Sequence, residues 1–298
     1  MSKKHFLTIG IPAFNEEKCL PQLIKSLNNI HIPDLSRIIV ISDGSIDQTA
    51  NIIKNIKVGN TRVTKIIDPV RKGKIYRLNQ LFSLSKTEYL LILDADIQLE
   101  KNSVNHLVQS AIKNGSVLTI AHQIPLKPQS FIGKIIHTGY QMWDEMRTSD
   151  TKYLDHVENY YGAASLYNYC FYHKFRIPTG FNDERKFIYF SAKRAGKFIY
   201  DKSSLVYYHP VSTLRDFYLL GSRSTDIDAK IQDYFGVQIK KSFKIPAQHK
   251  FKVLLKYLYN KPFSTLAFIC LKYIVRTFKT PDPLTSRGMW TIASSTKI

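Results

Sequence analysis

Asp94 and Asp96 end an apolar run in "LILDADIQLE", residues 91–100, with only Ala95 between them. Two carboxylates this close repel each other and are costly to desolvate unless a cation sits with them. On a strand, positions i and i+2 face the same side, so both could serve one target. Hard oxygen ligands so spaced suit Mg²⁺ or Mn²⁺ and leave positions open for phosphate oxygens. The plainer reading is a strand end turning into solvent, because the bare pattern is common by chance. Its place after a fourth apolar strand run gives it weight. Other polar residues fall at matching places: Asn15 and Glu16 follow "FLTIGIP", and Asp43 and Ser45 end "RIIVISDGS".

These residues need a frame that gathers strand ends. Strand and helix signals alternate through the first 120 residues. "FLTIGIP", "RIIVISDGS", "RVTKIID", "YLLILDAD" and "SVLTIAH" read as strands. Helical patterns run through Leu20, Leu23, Ile24 and Leu27, then "DQTANIIKNI", then "IYRLNQLFSL". Strand runs of Ile, Leu and Val with little alternation predict a mostly parallel sheet with helices on both faces. In such sheets ligands bind beyond the carboxyl ends of the strands, where Asn15, Asp43, Ser45, Asp94 and Asp96 all fall. Past Ile124 the pattern loosens. "GYQMWDEMRTSDTKYLDHVENYYG" reads as a surface helix and loop, and "AASLYNYCFYH" as a strand lining a pocket. "DERKFIYFSAKRAG" predicts a helix with Gly196 as its C-cap, and "KFIYDKSSLVYYHP" a hairpin-like pair of strands. The text from Thr213 is helical again.

The bulk numbers bound the partners. The 298 residues carry 43 Lys and Arg against 23 Asp and Glu, a net charge of +20 on an otherwise ordinary globular composition. Such a surface implies an anionic partner. A nucleic-acid binder would place basic and aromatic residues on a platform without an acidic rim, and the rim of Asn and Asp argues against it. A nucleotidyltransferase would carry a Gly-rich basic loop after the first strand, where "PAFNEE" offers acids. Cys19, Cys170 and Cys270 are far apart and read as reduced thiols in a reducing compartment. No run approaches the ~20 apolar residues that span a bilayer. Between Gly236 and Pro281 there is no acidic residue but there are ten Lys and Arg, with Phe251, Leu254, Leu255 and Leu258 at helical spacing. A basic amphipathic helix of this kind suits contact with anionic lipid headgroups; a solvated helix covering the domain is the plainer alternative.

Six stretches taken together resemble a family 2 glycosyltransferase of the GT-A fold. They are "IGIPAFNEE" (9–17), "SDGSIDQT" (42–49), "RKGKIYRLNQ" (71–80), "LDAD" (93–96), "NDERKFIYFSAKRAG" (182–196) and "VYYHP" (206–210). The resemblance implies a Rossmann-like, mostly parallel α/β sheet flanked by helices, to which the composition adds the basic amphipathic helical tail. It implies a GT-A domain over residues 1–235, with a nucleotide-binding half at 1–122 and an acceptor half at 123–235, followed by the basic region 236–298. The implied activity is metal-dependent, inverting transfer of one sugar from a nucleotide-diphosphate sugar, expected to be a UDP-sugar.

Residue by residue, the resemblance assigns Pro12, Ala13, Asn15 and Glu16 to the nucleotide site, with Asp43, Gly44 and Ser45 at base and ribose. Lys74, Asn79 and Asp94 also approach the nucleotide, and Asp94, Asp96 and His209 the metal, Mn²⁺ or Mg²⁺. A tight turn at "DGS", a solvent-facing Lys74, a helix-surface Asn79 and a structural His209 are the plainer alternatives. The catalytic base falls to Asp183 or Glu184, whose order is reversed against the commonest form; the alternative is a pair of helix-capping acids. Of the Gln-x-x-Arg-Trp motif of polymer-extruding synthases only Arg223 remains, which implies a non-processive enzyme with Arg223 near diphosphate or acceptor. Tyr153 to Tyr172 offer rings for sugar stacking. The acceptor is expected on a lipid-linked or cell-envelope glycan at the cytoplasmic face of a membrane, with no nucleic acid as partner.

Overall fold

The computed structural model describes residues 6–181, 184–222, 227–236, 245–278 and 293–297. The first four apolar runs form β1 (Leu7–Ala13), β2 (Leu35–Asp43), β3 (Arg62–Asp68) and β4 (Tyr89–Leu93). They pair in parallel in the order β3-β2-β1-β4. Every residue of β4 is buried, and so is all of β1 except Pro12. Successive side chains alternate faces. Leu91 and Leu93 therefore join Leu7, Ile9 and Ile11 in one apolar cluster, while Leu90 and Ile92 join Ile39 and Ile41 in another. Helices α1 (Leu20–Asn28), α2 (Thr49–Asn55), α3 (Lys74–Leu84) and α4 (Ser103–Asn114) follow the strand runs. Leu23, Ile53 and Leu107 from α1, α2 and α4 cover the first face, and Leu78, Leu81 and Phe82 from α3 cover the second. Full burial of each such side chain contributes about 1.5–3 kcal/mol, more than the few tenths that separate ordinary helix propensities.

The remaining strands are β5 (Ile97–Leu99), β6 (Ser116–Pro125), β7 (Ala164–Asn168) and β8 (Lys197–Tyr208). With them the described sheet runs β3-β2-β1-β4-β7-β6-β8-β5. Here the parallel expectation stops, because β7 lies antiparallel to both β4 and β6, and β5 antiparallel to β8. The stretch expected as a hairpin is one long strand. β8 keeps to β6 across a register shift between Ala121 and His122, where Asp201 and Leu205 are the successive partners. Lys202 to Ser204, which read as a turn, are the bulge. The strand expected over "AASLYNYCFYH" is shorter, giving way to the helical turn Tyr169–Tyr172.

The helix expected before Gly196 spans Glu184–Ala195. Gly196 is not a left-handed cap, since it is absent from the positive-φ glycines. A Cβ there would lie 2.8 Å from Val117 Cγ1, so close approach to β6 explains the glycine. The helix Phe131–Thr148 was expected at the surface, yet Ile135, Ile136, Met142, Met146 and Arg147 are buried. Its cover comes from the basic region. Helices Ala247–Asn260 and Pro262–Thr277 pack on it through Val253 and Phe268. The Phe268 ring sits where a Cβ on Gly139 would come within 2.1 Å. No described helix is long and apolar enough to cross a membrane. The three cysteines form no disulfide.

Candidate functional site

A cavity of about 380 Å³ opens beyond the ends of β1, β2 and β4. Its size is within the range of small-ligand sites. Pro12, Ala13, Phe14 and Glu16 line it from the end of β1, Asp43 from β2, Arg71, Gly73 and Lys74 from the start of α3, and Asp94 to Ile97 from the turn after β4. His209 and Lys297 close it from later parts of the chain.

The floor is held by an arginine. Asp43 and Asp68 end adjacent parallel strands in register, and two carboxylates so placed repel. Arg77, 1% exposed, sits between them, with Nε 2.7 Å from Asp43 Oδ1 and Nη2 2.9 Å from Asp68 Oδ2. Lys72, the Val70 amide and Arg77 hold the Asp68 carboxyl well below the usual carboxylate range. The amides of Lys72 and Gly73 also donate to Asp43. Asp43 lines the cavity, but most of its acceptor capacity shapes the loop before α3. Arg77 was not among the expected site residues, although the strand-end aspartates were a readable demand for a cation. Gly44 has φ +67°, and a Cβ would come within 2.3 Å of the Arg71 amide nitrogen, so only glycine lets this loop lie on the end of β2.

Asn15 and Ser45 tie two loops together. The Asn15 amide donates to Ser45 Oγ at 3.2 Å, and Asn15 Oδ1 accepts from the Ile46 amide at 2.9 Å. Asn15 does this at φ +53°, a conformation asparagine tolerates better than most residues. Asn79 turns away from the cavity. It donates to the Ile177 carbonyl at 2.8 Å and accepts from the Ile177 amide at 2.9 Å, clamping α3 to a distant loop.

The two aspartates of the opening motif do not share a strand face. β4 ends at Leu93 and β5 begins at Ile97, so "DAD" is a turn and the period-two rule lapses there. Each aspartate meets a different lysine. Lys74 Nζ lies 2.9 Å from Asp94 Oδ1 and 3.3 Å from Glu184 Oε1. Burial works against the Lys74 charge, but Asp94 and Glu184 more than offset it and hold its pKa well above the usual lysine value. A cation at the first residue of a helix is also opposed by the dipole, so Lys74 depends on these partners. Asp96 Oδ2 lies 3.6 Å from Lys297 Nζ, which also pairs with Glu16.

Among the described residues no three His, Cys, Asp or Glu side chains form a group that could hold a metal ion. Asp94, Asp96 and His209 thus do not come together as three ligands. His209 Nε2 lies 3.5 Å from Gln98 Nε2, and burial lowers its pKa below the usual histidine value. Asp94 and Asp96 both line the cavity and supply the one or two carboxylates that Mg²⁺-type binding takes with water and substrate phosphates, although here a lysine stands at each. Asp183 and Arg223 lie outside the described residues. Of the aromatic stretch, Tyr161 lines the cavity, its hydroxyl accepting from Trp143 Nε1 at 3.1 Å. Tyr153, Tyr160, Tyr167 and Tyr172 belong to the core.

Comparison with known proteins follows the same outline. A probable glycosyltransferase of Bacillus subtilis, YdaM, is 33% identical over 106 residues, 34% of this chain and 25% of the relative. A poly-beta-1,6-N-acetyl-D-glucosamine synthase of Staphylococcus epidermidis is 28% identical over 127 residues, 42% of this chain and 30% of the relative. The chain therefore spans a quarter to a third of the length of these relatives. Among solved structures, a mannosyltransferase from Pyrobaculum calidifontis in complex with GDP-Man and Mn²⁺ superposes with a TM-score of 0.59 at 13% identity, covering 93% of this chain and 76% of that one. TarS residues 1–349 of S. aureus in complex with UDP-GlcNAc give 0.56 at 13% identity, covering 91% and 87%. These likenesses show the fold, the mixed GT-A sheet flanked by helices. The model of the glycosyl transferase family 2 matches residues 8–171, more than half of the chain and nearly all of the β1 to β7 frame, and the chain belongs to that family.

Proposed function

We propose that this protein moves one sugar from a nucleotide-diphosphate donor to an acceptor hydroxyl with inversion at the anomeric carbon, and that the donor is a UDP-sugar. One observation carries the reading: Lys74 joins Asp94 to Glu184 at the ends of the parallel strands. Asp94 and the phosphate-neutralising Lys74 line one cavity, and Glu184 is buried against Lys74 beside it. Glu184 accepts the proton of the acceptor hydroxyl as its oxygen attacks the anomeric carbon. The bond from that carbon to the diphosphate oxygen breaks, and its electron pair leaves on the diphosphate. Lys74 donates hydrogen bonds to the phosphate oxygens. Asp183, beside Glu184, is the other candidate base. A divalent cation, when held by Asp94 and Asp96, supplies further neutralisation of the leaving diphosphate. His209 and Arg223 are assigned to the diphosphate or acceptor side.

The basic region suits a membrane acceptor. Tyr259, Phe263, Leu266 and Tyr273 are exposed on helices that also carry Lys250, Lys252, Lys256 and Arg276. Apolar side chains beside cations match an anionic bilayer surface. We assign the acceptor to a lipid-linked or envelope glycan on that ground.

A thermal-shift screen of UDP, GDP and their sugar conjugates, with and without Mn²⁺, tests the reading. A metal-enhanced shift for one nucleotide is expected. A shift with polynucleotides alone would overturn it.

A further inference from the structure

Lys297 enters the cavity from a segment that the family match, ending at residue 171, does not reach. The segment Ala293–Lys297 is anchored along its length. Ala293 is buried beside Ile136 and Val211. The Ser295 amide donates to Asp216 Oδ2 at 2.7 Å, and Ser295 Oγ accepts from the Ser212 amide at 3.0 Å. Asp216 is itself 1% exposed, so the anchor is built into the fold. Beyond it, Lys297 extends to Glu16, across 281 positions of sequence, and to Asp96. The second carboxylate oxygen of Glu16 is buried with no hydrogen-bond partner among the described residues.

Holding a lysine side chain in one place costs up to about 2 kcal/mol of rotamer freedom. A single pair with one exposed carboxylate would return about 1 kcal/mol or less. Here the ammonium reaches a buried acid and a half-buried one on two different strand ends, inside a cavity. It mirrors Lys74, which holds the Asp94 side of the same turn. A nucleoside diphosphate brings negative charge toward Asp94, Asp96 and Glu16, and its approach needs cations on both sides.

We propose that Lys297 is a donor-binding residue: the Ala293–Lys297 strap delivers its ammonium to the diphosphate of the nucleotide, opposite Lys74. This rests on the donor-site reading above. On binding, Lys297 exchanges part of its contact with Glu16 and Asp96 for hydrogen bonds to phosphate oxygens, and no covalent bond changes.

The test is calorimetric titration of UDP and of GDP into the full chain, in EDTA and again with Mn²⁺, for the wild type, Lys297→Gln and Lys297→Arg. Lys297→Gln is expected to weaken the bound nucleotide about tenfold in both conditions, the size of one lost charge-assisted hydrogen bond. Lys297→Arg is expected to restore most of the affinity and to keep a thermal midpoint near that of the wild type. Lys297→Gln, which leaves the buried Glu16 without its cation, is expected to melt lower, so affinities are read well below both midpoints. Unchanged affinity in Lys297→Gln would overturn the proposal. Tighter binding in Lys297→Gln would also overturn it, showing that the lysine competes with the nucleotide. Failure of the wild type to bind either nucleotide would instead defeat the donor-site reading itself, and the strap's role with it.

Discussion

The two ends of the chain treat their polar and apolar residues in opposite ways. In the parallel half, strand-end acids face inward and each finds a cation: Asp43 and Asp68 have Arg77, and Asp94 has Lys74. In the helices Ala247–Asn260 and Pro262–Thr277, cations face outward and large apolar side chains are left uncovered, with Tyr259 88% exposed and Phe263 67%. A concave rim of paired charges suits a small, highly charged ligand. A convex face of rings and lysines suits a broad anionic surface instead. On the proposed function, the two regions would serve two partners of one reaction, a nucleotide-sugar donor and a membrane-borne acceptor.

The sharpest way to break this contrast is at the acid beside Lys74. Glu184→Gln is expected to lower kcat for sugar transfer by about 10²–10⁴-fold, as for loss of a general base, while nucleotide affinity changes little. If Asp183→Asn has that effect and Glu184→Gln does not, the base moves one residue along the chain. Next in size is the floor. Arg77→Met leaves the buried Asp43 carboxylate without its cation and should cost about 3–5 kcal/mol of stability, read from urea unfolding. A loss under about 1 kcal/mol would mean that the strand-end acids are neutralised by other groups. The tail should respond differently. Phe263→Ser with Leu266→Ser is expected to reduce binding to phosphatidylglycerol vesicles about tenfold or more, because both side chains are over half exposed. Stability should change by about 1 kcal/mol or less, since Leu266 is over half exposed and Phe263 packs against the exposed ring of Phe131. Equal binding of the double variant to these vesicles would remove the membrane from the account.

The parallel half was legible because its information is local. Apolar runs ending in Asn, Asp or Pro name both the strand and the edge where its polar residues gather. β7 and β8 were harder. β7 inserts antiparallel between β4 and β6, a pairing fixed by distant contacts rather than by its own five residues. β8 carries Lys202 and two serines in its middle, which read as a turn until β6 supplies a partner on either side of the bulge. In the site, the motif named Glu184, which the structure sets against Lys74, while Arg77 was missed although two adjacent strand-end aspartates demand a cation. Lys297 was not. Nothing in "SSTKI" marks a ligand-facing lysine, and its partners lie at Glu16 and Asp96. Asn79 illustrates the converse: its motif position suggested a ligand, while its amide closes on the Ile177 backbone.

The central claim is that the turn at Asp94–Asp96 receives the diphosphate of a nucleotide donor together with a divalent cation. Its most direct measurement is calorimetric titration of UDP in the presence of Mn²⁺ into the wild type and into Asp94→Asn with Asp96→Asn. Binding in the wild type that Mn²⁺ strengthens, and that weakens by about tenfold or more in the double variant with Mn²⁺ present, is the predicted result. Equal, metal-independent affinity in both proteins would contradict it.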